Sequence, residues 1–329
     1  MPLHQAEQSL LVAAPQVMRL ERFRPELKQQ WDDFVGRAKN SVFLFLRDYM
    51  DYHADRFADH SLLAYQGDRL MALLPANERD GVLVSHGGLT FGGFITDGRM
   101  RTATMLELFN RLGDYARTAG VGRLTYKAIP HIYHRHPAEE DLYALTRHGA
   151  KLVRRDVSST IALADRLALT KGRKCGISRA KACDLAVRRS DDFEAFMELE
   201  RVRLWDRYHV VPTHSAAEMR LLADRFPANI KLFGAYKEQE LLGGVLIYES
   251  ARVAHAQYIA ATDQGRDCAA LDALVDQLLN SVYAEKAFFD FGISTEDGGR
   301  HLNLGLIDNK ESFGARAITY DFYELEFAA

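Results

Sequence analysis

Two kinds of apolar spacing follow one another along this chain, and the same succession occurs twice. In the first half, strands are predicted near 61–66, 69–75 and 81–86, joined at Gln66-Gly67-Asp68 and Arg79-Asp80-Gly81 as hairpins are. Met105, Leu108, Phe109, Leu112, Tyr115 and Ala116 then fall at helical spacing, which predicts a core-facing helix over 101–118. Gly120 and Gly122 end it, and a strand over 123–129 follows. In the second half, strands near 231–237, 241–248 and 252–261 lead to a helix carrying Leu271, Leu274, Val275, Leu278 and Val282 on one face, and then to a strand over 288–293. Ala64-Tyr65 of the first copy corresponds to Ala235-Tyr236 of the second, and Tyr126 corresponds to Asp290.

The remaining segments frame these two copies. Helices are expected over 25–38, 41–57 and 191–208, in a short piece opened by Pro137, and between Pro212 and Pro227. Residues 151–163 read as a strand closing the first copy, and 316–325 as a final strand. Glycines 87, 88, 92 and 93 interrupt a strand pattern, which signals a bulge or close backbone approach. The resulting fold class is α/β (α+β), with two similar domains at 1–165 and 166–329. A cleft between two such domains is a usual place for a small ligand.

Composition narrows the function classes. The chain has 329 residues, enough for two cores at 47% hydrophobic content. Lys and Arg number 42 against 45 Asp and Glu, a net charge of −3, which does not favour a general nucleic-acid binder. Three cysteines, Cys175, Cys183 and Cys268, fit neither a metal site nor a closed disulfide set and are expected as free thiols. The start of the chain has no basic segment before its short apolar stretch, so it reads as a poor signal peptide. No run approaches the about 18 apolar residues of a membrane span. A soluble, cytoplasmic protein is the expectation. His131, His134 and His136 cluster without carboxylate or cysteine partners at ligand spacing, so no metal is expected.

Mixed α/β order with a hairpin meander and one short crossover is not the doubly wound arrangement. Three segments add to this order. One is the strand–loop–helix of 255–270, HAQYIAATDQGRDCAA. Another is Asp290-Phe291-Gly292, Ser294, then Lys310-Glu311-Ser312-Phe313-Gly314. The third is the basic stretch 171–189, with Arg173, Lys174, Ile177, Arg179, Ala180 and Lys181. With these segments the chain resembles the GCN5-related N-acetyltransferase (GNAT) fold, and two copies in tandem resemble the FemABX branch. The longer segments NSVFLFLRDYMDYHADRF (40–57), SHGGLTFGG (85–93), AIPHIYHRHPAEEDLYAL (128–145) and FDFGISTEDGG (289–299) are also similar to tandem-GNAT enzymes of bacterial surface-polysaccharide (lipopolysaccharide O-antigen) gene clusters. That resemblance implies transfer of an acyl group from acyl-CoA to the amino group of a nucleotide-linked, dTDP-type, amino deoxysugar, with no metal, and it is compatible with a homodimer. A Fem-type transferase using charged tRNA and a cell-wall precursor, and a non-catalytic tandem-GNAT binding protein, are the competing readings.

The resemblance also distributes roles. Gln257, Tyr258, Ile259 and Ala260 would lie along the pantetheine of the donor. Gln264, Gly265, Arg266, Ala269 and Ala270 would hold its pyrophosphate, small residues giving room at a helix start and Arg266 adding charge. Asp97-Gly98-Arg99 makes the first copy of this loop a weaker match. Lys310 would act near phosphate or the thioester carbonyl. The acceptor would meet His86, Tyr126, Lys127, Tyr133, His134, Arg173, Lys174 and Arg179. Three residues compete as base: His255, whose imidazole suits proton removal near neutral pH, Glu296 in a Gly-flanked loop, and Asp290. Asp290, a carboxylate in an apolar strand, must be paired, hydrogen-bonded or protonated, and is either an anchor for the loop after it or a ligand of the substrate amine. Glu296 reads equally as an exposed loop carboxylate. Tyr258 and Tyr323 are candidates to protonate the leaving thiolate, or core residues.

Overall fold

The computed structural model describes residues 18–327; the segment before residue 18, read above for a leader, lies outside the described residues. The first half runs β1 (Met18–Arg22), α1 (Lys28–Arg37), α2 (Arg47–Met50), β2 (Leu62–Gln66), β3 (Arg69–Leu74), β4 (Asn77–Arg79), β5 (Val82–Val84), β6 (Ile95–Thr96), α3 (Thr102–Ala119), β7 (Arg123–Lys127), α4 (Glu140–Arg147) and β8 (Lys151–Ala162). Helix α3 buries the predicted stripe of Met105, Leu108, Phe109, Leu112 and Ala116, and stops where Gly120 takes a left-handed φ of 71°. The helix expected over 41–57 is broken into short turns. Leu46 is extended, and the Asp32 carboxylate accepts the Arg47 amide at 2.9 Å to start a new helix there. Phe43, Phe45 and Tyr49 are all buried, and the broken path lets them enter the core from different sides. The helix expected to open at Pro137 begins three residues later.

The second half runs α5 (Lys171–Ala182), β9 (Ala186–Ser190), α6 (Phe193–Tyr208), α7 (Ala216–Arg225), β10 (Ile230–Lys237), β11 (Glu240–Glu249), β12 (Val253–Ala261), α8 (Asp263–Asp267), α9 (Ala270–Gln277), β13 (Phe288–Ile293), β14 (Thr295–Glu296), β15 (His301–Leu302), α10 (Leu304–Glu311) and β16 (Arg316–Glu326). The internal repeat is visible in the hydrogen-bond ladders. The β2–β3 register slips after Ala64, leaving Met71 as an extra residue; the β10–β11 register slips after Ala235, leaving Leu242. Each half also holds one parallel pair across its core helix, β5 with β7 and β12 with β13.

The sheets join the halves. Ten strands run in the order β4-β5-β7-β16-β8-β13-β12-β11-β10-β9, while β1-β2-β3-β6 form a separate four-stranded sheet. Pro75, which has no amide to donate, follows β3, and the chain then leaves that sheet for the larger one. Strand β8, expected to close the first copy, stands at the seam, bonded to β13 on one side and β16 on the other. The C-terminal β16 lies between β7 and β8, antiparallel to both.

Alternation along β10–β12 separates two cores. Val245, Ile247, Ala254 and Ala256 face α9, whereas Leu246, Tyr248, Tyr258 and Ala260 face α6 and α7. The second of these cores also takes in Trp31, Phe34, Phe43, Phe45 and Tyr49 from the first half. Phe43 lies 5.5 Å from both Phe226 and Tyr248, so the contact between the halves is a dry aromatic core.

Candidate active site

Period-2 geometry builds a cleft over the seam. Five adjacent strands offer residues of one face: Thr125 and Lys127, Phe322 and Tyr320, Arg154 and Asp156, Ile293, and His255 and Gln257; the Phe291 ring packs toward α9. They line a cavity of about 560 Å³. Its floor is set by the parallel register of β12 and β13, which pairs His255 with Asp290 and ends there. Beyond this point β12 continues beside β11 alone. Gly292, at φ 77°, turns β13 away toward β8. A bulge in β12 leaves Gln257 unmatched between the pairs Leu246–Tyr258 and Ile247–Ala256. The extra residue re-aims the strand, so Tyr258 faces the α6 core in place of the helix α9 side.

His255 Nδ1 lies 2.8 Å from Asp290 Oδ2. Asp290 is fully buried and saturated: Ser158 and Thr160 hydroxyls donate to Oδ1 at 2.6 and 2.8 Å, and the Tyr320 phenol donates to Oδ2 at 2.8 Å. Burial pushes the carboxyl pKa up, but the His255 ring and the two hydroxyls outweigh it and hold the carboxyl at about 2. Asp290 is therefore ionised and accepts from every partner. In the neutral form of His255 this places the ring proton on Nδ1 and the lone pair on Nε2, on the side of the ring away from the buried carboxylate. Tyr320 is in turn 3.3 Å from the Tyr133 phenol, and burial raises the pKa of both well above the usual range.

Two buried lysines support the walls. Lys310 donates to the carbonyls of Gly292 and Ile293 at 2.9 and 2.7 Å, clamping the turn beside His255. Burial lowers its pKa to about 8, while the charge of Asp290 pulls the other way. Lys127 donates to the carbonyls of His86 and Leu89, and burial, with Arg154 adding repulsion, lowers its pKa to about 7. Arg154 is paired with Asp156 at 2.7 Å, and Asp156 accepts from Thr295 at 2.7 Å.

The expected site residues divide in space. His255, Asp290, Gln257, Lys127, Lys310 and Tyr133 are brought to the cleft or its floor. Glu296 is not: it sits exposed on the β14–β15 hairpin, accepting from Asn303 at 2.7 Å. Tyr126 is wholly buried, donating to Asp141 at 2.5 Å and accepting from the Phe94 amide at 2.7 Å, so it presents no surface to a ligand. His134 is buried against the Ile129 carbonyl at 3.1 Å, and burial lowers its pKa to about 4. His86 is likewise buried, with its pKa lowered by burial to about 3. Its ring stacks on His53 at 5.1 Å.

Across the sheet, Arg173 is bound to Asp272 at 3.1 Å and Ser312 at 2.7 Å and lies over the Phe313 ring. It ties α5 to α9 and stands apart from the cleft. Lys174 and Arg179 are exposed on the same helix. The room that Gly265 provides is used by protein: a Cβ there would stand 1.9 Å from the Leu242 carbonyl oxygen. Its amide is capped by Thr262 at 2.9 Å, and Arg266 is paired with Asp263. Ala269 has a left-handed φ of 55°, separating α8 from α9, and Ala269 and Ala270 are both buried. Ile259 faces α9 and Ala260 faces α6, while Gln264 is exposed. The Tyr258 phenol is 2.7 Å from His214 Nδ1. Among the described residues no group of three or more His, Cys, Asp or Glu is placed to hold a metal, and no helix is long and apolar enough to cross a membrane.

Sequence reading missed Ser158, Thr160, Tyr320, Arg154 and Asp156. The only signal was compositional: six of the seven residues in 154–160 are polar, inside a segment read as a strand.

Residues 166–298 match the family model of the acetyltransferase (GNAT) domain. No curated protein matches the chain. Among solved structures, FemX shares 11% identity at a TM-score of 0.66, covering 93% of this chain and 97% of that one. A conserved protein of unknown function from Bacteroides thetaiotaomicron shares 8% at 0.58, covering 94% and 100%. L-PGS from Bacillus licheniformis shares 12% at 0.54, covering 94% of each. Residues 166–298 are thus similar to the GNAT acetyltransferase domain, within a mixed α/β fold similar to that of FemX.

Proposed function

We propose that this protein is an N-acyltransferase that moves an acyl group from acyl-CoA to the amine of a nucleotide-linked amino deoxysugar, with His255 as general base. The observation that carries the reading is the His255–Asp290 pair at 2.8 Å, where β12 and β13 part at the floor of the cleft. The acetyltransferase domain match supports the donor class. His255 Nε2 takes a proton from the acceptor amine, the nitrogen bonds to the thioester carbonyl carbon, and the carbon–sulfur bond breaks to a CoA thiolate that takes the proton back from His255 and leaves as a thiol. Asp290 orients the ring and balances the charge it gains. Asp290 thus acts through His255 and needs no contact with substrate. Of the three candidate bases, the geometry favours His255 over Glu296, which faces solvent outside the cleft.

Holding amine and thioester together can supply roughly 7–11 kcal/mol of the barrier. The base adds about 10²- to 10⁴-fold. The test is thiol release from acetyl-CoA with dTDP- and UDP-linked amino sugars as acceptors. Acceptor-dependent release that falls about 100-fold or more in His255→Ala, with acyl-CoA affinity unchanged, supports the assignment. Release unchanged in that variant overturns the base.

One observation favours a second reading. The turn at 262–268 spends its amides internally, on Thr262 and Gln264, and keeps little for a pyrophosphate. A Fem-type transferase would take its acyl group from charged tRNA instead. Retention on tRNA that falls with rising salt, without thiol release from any acyl-CoA, would establish that alternative.

A further inference from the structure

A second cavity of about 300 Å³ adjoins the cleft, and the two share Gly87, Leu89, Thr90 and Gln257 along their boundary. Its chemistry is different. Where the cleft is lined by Lys127, Arg154, Asp156 and His255, the second cavity is walled by the rings of Tyr49, Tyr52, His53, Phe57, His214 and Tyr248. Several of these rings lie in nearly parallel planes. His86 and His53 are 5.1 Å apart at 14°, His53 and Tyr52 4.3 Å at 22°, and Tyr52 and His214 6.1 Å at 26°. The spacing is widest between Tyr52 and His214, and Tyr52, His53 and His214 all line the cavity. Burial lowers the pKa of all three imidazoles, so the ladder is uncharged near neutral pH. Arg56, tied to Glu218 at 2.6 Å, brings the nearest guanidinium, 5.5 Å from the Tyr52 ring.

The glycines at the boundary belong to this arrangement. A Cβ at Gly88 would stand 2.3 Å from His53 Nε2, and one at Gly87 would stand 3.0 Å from Phe57 Cε1. Only glycine lets the backbone that divides the cavities lie directly against the rings, which keeps the path from one cavity to the other short.

We propose that the second cavity is a ring-binding subsite: it takes an uncharged planar ring of the nucleobase class, carried by the same acceptor whose amine reaches His255. This rests on the transferase reading for the acceptor's identity, though the ring preference follows from the ladder alone. A flat ring continues a stack of flat rings, and base–aromatic stacking is worth about 1–3 kcal/mol per base. A flexible acyl chain would gain as much from leucine as from tyrosine at the same place, and this difference separates a ring from a chain.

The experiment is calorimetric titration of the full chain with UDP, dTDP and inorganic pyrophosphate, using the parent, Tyr52→Leu and His214→Leu. The expected result is that UDP or dTDP binds at least about tenfold tighter than pyrophosphate, and that each variant weakens the nucleotide about tenfold while leaving pyrophosphate unchanged. Nucleotides binding no tighter than pyrophosphate, or binding Tyr52→Leu as well as the parent, overturn the proposal. His214 also bonds Tyr258, so if His214→Leu fails to fold, half-buried Tyr52 carries the test. Nucleotide binding that depends on Tyr52, without thiol release from acyl-CoA, keeps the subsite and removes the transferase reading. Thiol release with amines that bear no ring, undiminished in Tyr52→Leu, does the reverse.

Discussion

A Cβ placed on Gly292 would stand 3.3 Å from Cε1 of His255, on a backbone whose φ is 77°. The glycine therefore does two things at once. It turns β13 out of its pairing with β12, and it leaves the edge of the imidazole uncovered. Gly292→Ala is expected to cost about 1–2 kcal/mol of stability, from the left-handed conformation, and to lower kcat by displacing the ring. Urea unfolding and steady-state kinetics on the same preparation check both. A loss of stability with unchanged kcat would mean that the ring position is insensitive to this turn.

Asp290→Asn tests the carboxylate. The amide keeps the shape but can donate to Nδ1, which favours the wrong tautomer and leaves Nε2 protonated. Activity is expected to fall about 100-fold or more, with acceptor KM little changed. The pH dependence has a definite sign. The folded pKa of about 2 lies below the ordinary 3.8, so the stability that ionised Asp290 contributes is present above about pH 4 and is lost as pH falls toward 2. Acid unfolding of the parent is thus expected to be steeper across that window than acid unfolding of Asp290→Asn.

Lys127 gives the opposite kind of titration. Its folded pKa of about 7 lies below the ordinary 10.5, so between these values the unfolded chain binds more protons than the folded one. Stability rises with pH across that range. Denaturant unfolding at pH 7 and pH 9.5 is expected to show the parent gaining on Lys127→Met at the higher pH. A difference between the two proteins that stays constant with pH would show that the amine keeps its charge, satisfied by the His86 and Leu89 carbonyls.

How much of this was legible beforehand depends on what each feature needs. The repeat, the stripe on α3 and the hairpins are local patterns, and they appear where the spacing put them. His255 and Asp290 each stood out as polar residues in apolar strands, but their pairing requires the parallel register of strands 35 residues apart in sequence. Ser158 and Thr160 reach the same carboxylate because β8 pairs with β13, and Tyr320 reaches it because β16 inserts between β7 and β8; no local signal encodes either pairing. Gly265 was expected to leave room for a phosphate. The sequence could not say that the room faces the Leu242 carbonyl. The 41–57 helix failed because tertiary burial of Phe43, Phe45 and Tyr49 outweighed helical spacing.

Lys310 separates structure from function in the clamp beside the base. Its ammonium satisfies two carbonyls, Gly292 and Ile293, in a place with little water. Lys310→Met removes the donor and leaves those acceptors without it, at about 1–3 kcal/mol for each that is stranded. If the clamp only stabilises the fold, the variant loses stability and keeps its kcat at a temperature well below its Tm. If it positions the turn against His255, kcat falls as well, while acyl-CoA affinity holds, and the pH profile of kcat shifts because the imidazole environment changes. The second outcome is expected, since the Gly292 carbonyl that Lys310 holds belongs to the residue whose Cα faces the ring. Arg is too broad for a pocket built around one ammonium, so Lys310→Arg is expected to behave like the methionine variant in both measurements.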